Sequence, residues 1–187
     1  MLKRILNRFS IFDLIVMALM ACLGIATKPI IVPLTQIITG PLFVPGGVIA
    51  GGFYMMWLVM GAGLVQKPGA GTLTAAVQAI MITALGIFGT HGIMSLVTYL
   101  LPGIAVDIVM LFWRYRGSVT ACFAAGIAAN LSGTVLVNLV FFRLPWIPLI
   151  LSLASASLSG GLGGLIAYVV IKEVEKSGLK SLMSRRG

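Results

Sequence analysis

The sequence predicts an all-α integral membrane protein, a compact bundle of six transmembrane helices that forms a single domain over residues 1–187. Of these residues, 59% are hydrophobic and only 9% are charged, and the mean hydropathy is +1.12. A soluble core of this length cannot absorb so much apolar surface, so we expect lipid to be the main solvent. Six apolar stretches approach or exceed the roughly 20 residues that a helix needs to cross the hydrocarbon layer.

Each apolar stretch must satisfy its own backbone N–H and C=O groups in lipid, which favours helices. Tight turns at 66–71 and 114–118 contain Pro or Gly residues that stop one helix before the next begins. The predicted helices are, in chain order, Ile11–Ala26, Phe43–Val65, Thr72–Phe88, Ile93–Trp113, Val119–Phe142 and Pro148–Ile171.

The 13 Lys and Arg residues predict how these helices are oriented. If the chain starts in the cytoplasm and the helices cross in turn, only Lys28 and Arg143 fall outside. Cytoplasmic loops retain positive charge because it resists translocation. We therefore expect both termini in the cytoplasm, with 172–187 as a basic cytoplasmic tail. This topology accounts for the net charge of +9, and no basic patch interleaved with aromatic residues points to nucleic acid.

Helix 1 is predicted to carry a packing stripe and to lead into a loop. Ala18, Cys22 and Ala26 recur at every fourth position, a spacing that lets helix backbones approach closely in lipid. The segment 27–42 contains three prolines and several polar residues, Gln36 among them. A long irregular connection of this kind is often a lid or binding loop, although a solvated connector is equally consistent with it.

Two polar residues lie deep within helices 3 and 4. Asp107 lies six residues before Trp113, about 9 Å from the inner end of helix 4. Gln78 on helix 3 lies at a similar depth. Polar groups in lipid are costly unless they have partners, so we expect Asp107 and Gln78 to form a structural polar node. Proton coupling through Asp107 is the alternative.

Polar side chains on helices 4 to 6 form three stripes that open toward the predicted exterior. A cavity lined by these amides and hydroxyls would suit a small polar or aromatic ligand, on whose ring Tyr99 and Trp146 could stack. Hydrogen bonding between helices is the competing interpretation. The candidate binding residues are Gln36, His91, Ser95, Tyr99, Asn130, Thr134, Asn138, Trp146 and Ser152.

Signatures of soluble enzymes are missing from the sequence. There is no phosphate-binding Gly-x-x-x-x-Gly-Lys-Ser/Thr loop, so ATP hydrolysis by this chain is not expected. The only histidine, His91, has no acidic neighbour, and no Ser nucleophile lies in an elbow motif. We therefore expect neither catalysis, nor a metal site, nor a bound cofactor.

Two motifs carry a resemblance to a known family. The first is Lys67-Pro68-Gly69-Ala70 between helices 2 and 3; the second is Pro102-Gly103-x-Ala105-x-Asp107, which leads to Phe112-Trp113-Arg114-Tyr115. Together with the helix spacing, they resemble the substrate-binding S components of energy-coupling factor (ECF) vitamin transporters. The chain looks most like the YkoE-type thiamine and hydroxymethylpyrimidine subfamily.

This resemblance implies a subunit of the prokaryotic plasma membrane that captures a vitamin outside and reorients against a transmembrane coupling subunit. Two partner ATPases would use the ATP. The stripe Ala18, Cys22 and Ala26 stands where such proteins contact the coupling subunit.

No carboxylate lies in the outer halves of the helices, whereas Lys28, His91 and Arg143 near the outer face would tolerate a neutral or anionic ligand. Hydroxymethylpyrimidine therefore fits better than cationic thiamine, and another vitamin or cofactor precursor is the alternative. The competing hypotheses are a self-sufficient proton-coupled carrier or channel that uses Asp107, and a small membrane enzyme or assembly factor.

Overall fold

The computed structural model describes residues 8–42, 44–84 and 94–177, and all regular secondary structure in this part of the chain is helical. It confirms the predicted all-α class and the six helices. A 3₁₀ turn, Gly40–Leu42, follows α1, and a π turn, Asn138–Phe142, continues α5. The helices are α1 (Ile11–Thr39), α2 (Gly46–Val65), α3 (Ala70–Ala84), α4 (Ser95–Phe112), α5 (Val119–Val137) and α6 (Trp146–Lys176).

Four helical segments are long and apolar enough to cross a membrane: α1, α2, α5 with its π turn, and α6. Helix α3 and residues Leu96–Phe112 of α4 are apolar but shorter. The predicted end of helix 3 at Phe88 lies outside the described residues. Helix α6 continues to Lys176, so the first residues of the predicted tail 172–187 are helical. Six crossings and the cytoplasmic termini remain predictions.

The predicted proline-rich loop is wrong, because α1 continues through it to Thr39. Pro29 and Pro33 lie inside the helix, and their spacing of four places both missing N–H donors on one side. Within a membrane bundle, neighbouring polar groups compensate for such interruptions. Beyond the second proline, the hydroxyl of Thr35 lies 2.8 Å from the carbonyl oxygen of Gly46, a contact that joins α1 to the start of α2.

Helices α5 and α6 pack through close backbone contact. A Cβ atom added at Gly126 would collide with the carbonyl oxygen of Gly160 on α6. The small residues Ala121, Ala125 and Ala129 of α5 are fully buried. Small side chains let helices associate in lipid through van der Waals contact, and here they bring two backbones together.

At the end of the bundle that contains the α2–α3 turn, Asp107 holds the start of α3. Its carboxylate accepts backbone N–H bonds from Gly71 at 3.0 Å and Thr72 at 2.7 Å, and the hydroxyl of Tyr115 lies 3.0 Å away. The first N–H groups of a helix lack partners within the helix, so a carboxylate there is well placed. Burial and the Asp107 carboxylate raise the pKa of Tyr115 to about 12, which keeps its hydroxyl protonated and able to donate.

The predicted pairing of Asp107 with Gln78 is therefore wrong. Gln78 lies six residues beyond Thr72 on α3, a rise of about 9 Å toward the other end of the bundle. The Asp107 carboxylate is occupied by the first turn of α3, where backbone donors are available. The predicted polar node thus exists around Asp107, but with different partners.

Candidate ligand-binding cavity

A cavity of about 380 Å³ lies between the helices, and all six contribute to its wall. Residues 25–36 of α1 and 47–58 of α2 line it, and so do the late part of α3, the start of α4, the end of α5 and the start of α6. Odd-numbered helices thus end around the cavity and even-numbered helices begin there. This size is within the range of small-molecule pockets.

Most of the predicted binding residues meet in this cavity. Polar side chains from four separate segments of sequence come together there, as expected for stripes on helices that face one another. The predicted residues that line it are Gln36, Tyr99, Asn130, Thr134, Asn138 and Ser152.

Of the three remaining predicted residues, one lies away from the cavity and two have side chains that are not placed by the described structure. Trp146 begins α6 but is 78% exposed and does not line the cavity, so the structure does not support its stacking on a ligand there. His91 and the side chain of Ser95 lie outside the described part of the structure. Their assignment to the binding site remains a prediction.

Two of the predicted binding amides also connect helices. Asn130 Nδ2 lies 2.9 Å from the carbonyl oxygens of both Val48 on α2 and Ala156 on α6. Asn138 Oδ1 accepts the backbone N–H of Leu144 at 2.9 Å, which fixes the connection into α6. Asn130 and Asn138 therefore line the cavity and also form hydrogen bonds of the kind that the competing interpretation predicts.

The cavity wall also contains a cation, Lys28, which lies in the segment that was predicted to be a loop. Lys28 lines the wall on α1, and its Nζ donates to the Tyr99 hydroxyl at 2.7 Å. The same atom lies 4.2 Å from the ring centroid of Tyr99 and 5.1 Å from that of Tyr54. A single lysine within a long apolar segment was a sequence signal for this position. Its charge costs free energy in lipid unless it faces a cavity or has a partner.

Gln78 and Ser152 are buried in the cavity wall with unused polar atoms. Gln78 is 4% exposed and Ser152 is 1% exposed. Neither Gln78 Nε2 nor Ser152 Oγ has a hydrogen-bond partner among the described residues. Buried polar groups in proteins are nearly always paired, so these two atoms are unusual among the buried polar groups of the cavity wall.

The small-residue stripe of α1 lies on the first half of that helix, before the cavity. Ala18 is partly exposed, and Cys22 and Ala26 are exposed. Cys22 Sγ also lies 3.8 Å from Met81 Sδ on α3. The stripe is therefore only partly covered within the chain, which leaves its predicted docking role open. Among the described residues, no group of three His, Cys, Asp or Glu side chains could hold a metal ion.

Comparison with protein families gives one match that extends over residues 12–132, more than half of the chain: the ABC-type cobalt transport system, permease component. The chain belongs to this family. This membership, together with the long apolar helices of the described residues, makes the chain a multi-pass membrane protein from a family of transport proteins.

The fold of the chain is similar to that of a solved structure described as a crystal structure of an S-component of an ECF transporter. The TM-score is 0.76, with 19% sequence identity over 95% of each chain. At that identity the similarity shows the fold alone. No curated protein matches the sequence significantly.

Proposed function

We propose that this chain is the substrate-binding membrane subunit of an ECF-type ABC importer. The observation that carries the proposal is a vitamin-sized cavity lined by all six helices, in a chain with the S-component fold and a transport-family sequence. Without a phosphate-binding loop the chain depends on two partner ATPases and a transmembrane coupling subunit.

In this proposal all six helices cross a prokaryotic plasma membrane, with both termini in the cytoplasm and the cavity toward the exterior. Of the two shorter helices, α4 with its 18 residues extends about 27 Å, close to the hydrocarbon thickness. The two basic residues predicted to be outside, Lys28 and Arg143, lie in the half of the bundle that contains the cavity. The other described Lys and Arg residues lie toward the opposite end, as the positive-inside rule requires for this orientation.

The proposed ligand is a vitamin or cofactor precursor. Within the predicted thiamine-like class, Lys28 disfavours thiamine itself, because its ammonium group in the wall repels the cationic thiazolium ring. Neutral hydroxymethylpyrimidine is compatible with the wall. The amides, hydroxyls and single ammonium among the described lining residues also do not suit divalent cobalt, which prefers imidazole, thiolate or carboxylate ligands.

The competing carrier hypothesis requires Asp107 to titrate during transport. Its carboxylate is held by Gly71, Thr72 and Tyr115, away from the cavity wall. Those contacts favour a structural role.

Reconstituted uptake tests the proposed function. We expect the chain, co-purified with its coupling subunit and ATPases in liposomes, to accumulate the small molecule that is extracted from the purified chain, and only with ATP and all subunits present. Liposomes that contain the chain alone are the control. Equal uptake by the chain alone, driven by a proton gradient, would support the carrier hypothesis instead.

A further inference from the structure

The ammonium group of Lys28 has no acidic partner. The chain has four Asp and Glu residues, and all lie away from the cavity wall. Asp13 forms an ion pair with Lys67 at 2.6 Å, and Glu173 pairs with Lys176 at 2.7 Å. The remaining two, Asp107 and Glu175, accept hydrogen bonds from the start of α3 and from Gln66 Nε2.

A half-buried cation without a counter-charge is costly in a low-dielectric wall. The Tyr99 hydroxyl and the rings of Tyr54 and Tyr99 offset part of this cost for Lys28. One hydrogen bond to Tyr99 uses one of the three ammonium protons, so the group can still donate to a ligand.

The described part of the wall offers no carboxylate that could receive a cationic ligand. Among the described lining residues, the ionisable groups are Lys28, Tyr54 and Tyr99. The charge that the cavity presents to a bound molecule is therefore positive.

We propose that the transported ligand is a small organic anion. Its carboxylate or phosphate-ester oxygen pairs with Lys28, and its compact, largely apolar body occupies the rest of the cavity. This inference rests on the proposed function and narrows its ligand, since neutral hydroxymethylpyrimidine would leave the charge of Lys28 uncompensated.

A charge series of similar shape tests the proposal. Nicotinate, nicotinamide and 1-methylnicotinamide carry negative, zero and positive charge on nearly the same ring. We expect the full chain in detergent to be stabilised against heat in the order anion, neutral, cation. Comparison of benzoate with phenyl phosphate then distinguishes a carboxylate from a phosphate ester. Equal effects of the first three compounds, including none, would overturn the proposal, as would preference for the cation.

Variants assign the effect to Lys28. In Lys28→Gln the nicotinate concentration for half-maximal stabilisation should rise about tenfold or more, as for loss of a desolvated charge pair, and Lys28→Arg should retain the anion preference. Lys172→Gln is the matched control, because Lys172 also lies over a tyrosine ring, 5.6 Å from Tyr168, but outside the cavity. Preference that survives in Lys28→Gln contradicts the assignment.

A lipid headgroup is a second source of the same oxyanion chemistry. Lys28-dependent stabilisation by phosphatidylglycerol, with none by the small anions, would overturn the proposal. Failure of this inference is separable from failure of the importer function. ATP-dependent uptake of a neutral or cationic vitamin would contradict only the proposal that the ligand is an anion. Anion binding by a chain that transports without the other subunits would contradict only the importer function.

Discussion

Lys28 on α1 and Tyr99 on α4 are joined across the cavity by a hydrogen bond of 2.7 Å, although 71 residues separate them in the sequence. The Tyr99 ring also lies against the same ammonium group, 4.2 Å from Nζ to the ring centroid. Tyr99 therefore positions the cation that faces the ligand, in addition to lining the cavity itself.

The two contributions of Tyr99 can be separated by substitution. Tyr99→Phe removes the hydroxyl but keeps the ring, and we expect ligand affinity to fall several-fold, in keeping with about 1 kcal/mol for one hydrogen bond. Tyr99→Ala also removes the cation–π contact and should weaken binding further. Equilibrium binding of the extracted ligand by detergent-purified protein measures both. Equal affinities in all three proteins would contradict a role for Tyr99 in binding.

Asn130 should contribute more to stability than to ligand contact. Asn130→Leu removes the donor to two backbone carbonyls on different helices, and we expect a loss of about 1–3 kcal/mol, because each lost hydrogen bond contributes about 0.5–1.5 kcal/mol. Ser132→Ala on the same helix is the control, since Ser132 bonds only to the backbone of its own helix. The thermal midpoint in detergent should fall clearly for Asn130→Leu and little for Ser132→Ala.

Substitution of Asp107 distinguishes a structural role from proton coupling. Asp107→Asn weakens the acceptor at the start of α3, so the thermal midpoint should fall, while ATP-dependent uptake per folded molecule should persist. Tyr115→Phe, which removes one of the same hydrogen bonds, should produce a smaller fall of the same kind. Full stability with abolished uptake in Asp107→Asn would instead support the carrier hypothesis.

The predicted docking stripe on α1 can be tested with a bulky residue. Ala18→Trp should preserve ligand binding, because residue 18 lies outside the cavity wall, but should abolish co-purification with the coupling subunit. Leu158→Trp on α6 is the control, since Leu158 is already a large side chain that is 73% exposed. Normal assembly of Ala18→Trp with the coupling subunit would refute the docking assignment.

The sequence predicted those parts of the cavity that depend on helix periodicity. Thr134 and Asn138 lie four residues apart on α5 and both line it. The extension of α1 was not predictable from proline content, because Pro29 and Pro33 stop a helix in water but are tolerated when neighbours in a bundle provide hydrogen bonds. Lys28 was assigned to a loop for the same reason.

The partner of Asp107 was missed because it is backbone and not a side chain. Gln78 was predicted as the partner because it lies at a similar depth in the membrane. The N–H groups of the first turn of α3 lack partners within the helix and are better hydrogen-bond donors for the Asp107 carboxylate. Such a partner follows from where a helix begins, and α3 begins at Ala70, two residues before the predicted start. The two-residue error in the predicted start of α3 therefore left these backbone donors out of the prediction.

Backbone contact at Gly126 and Gly160 fixes the spacing of α5 and α6, since no side chain separates them. The part of the wall that these helices contribute therefore has a set geometry, and a new ligand cannot be accommodated by spreading them apart. Changes in substrate specificity should therefore come from lining side chains on the other helices, such as Lys28 on α1 and Tyr99 on α4. Redesign of the transported molecule should start at those two positions and leave the glycines untouched.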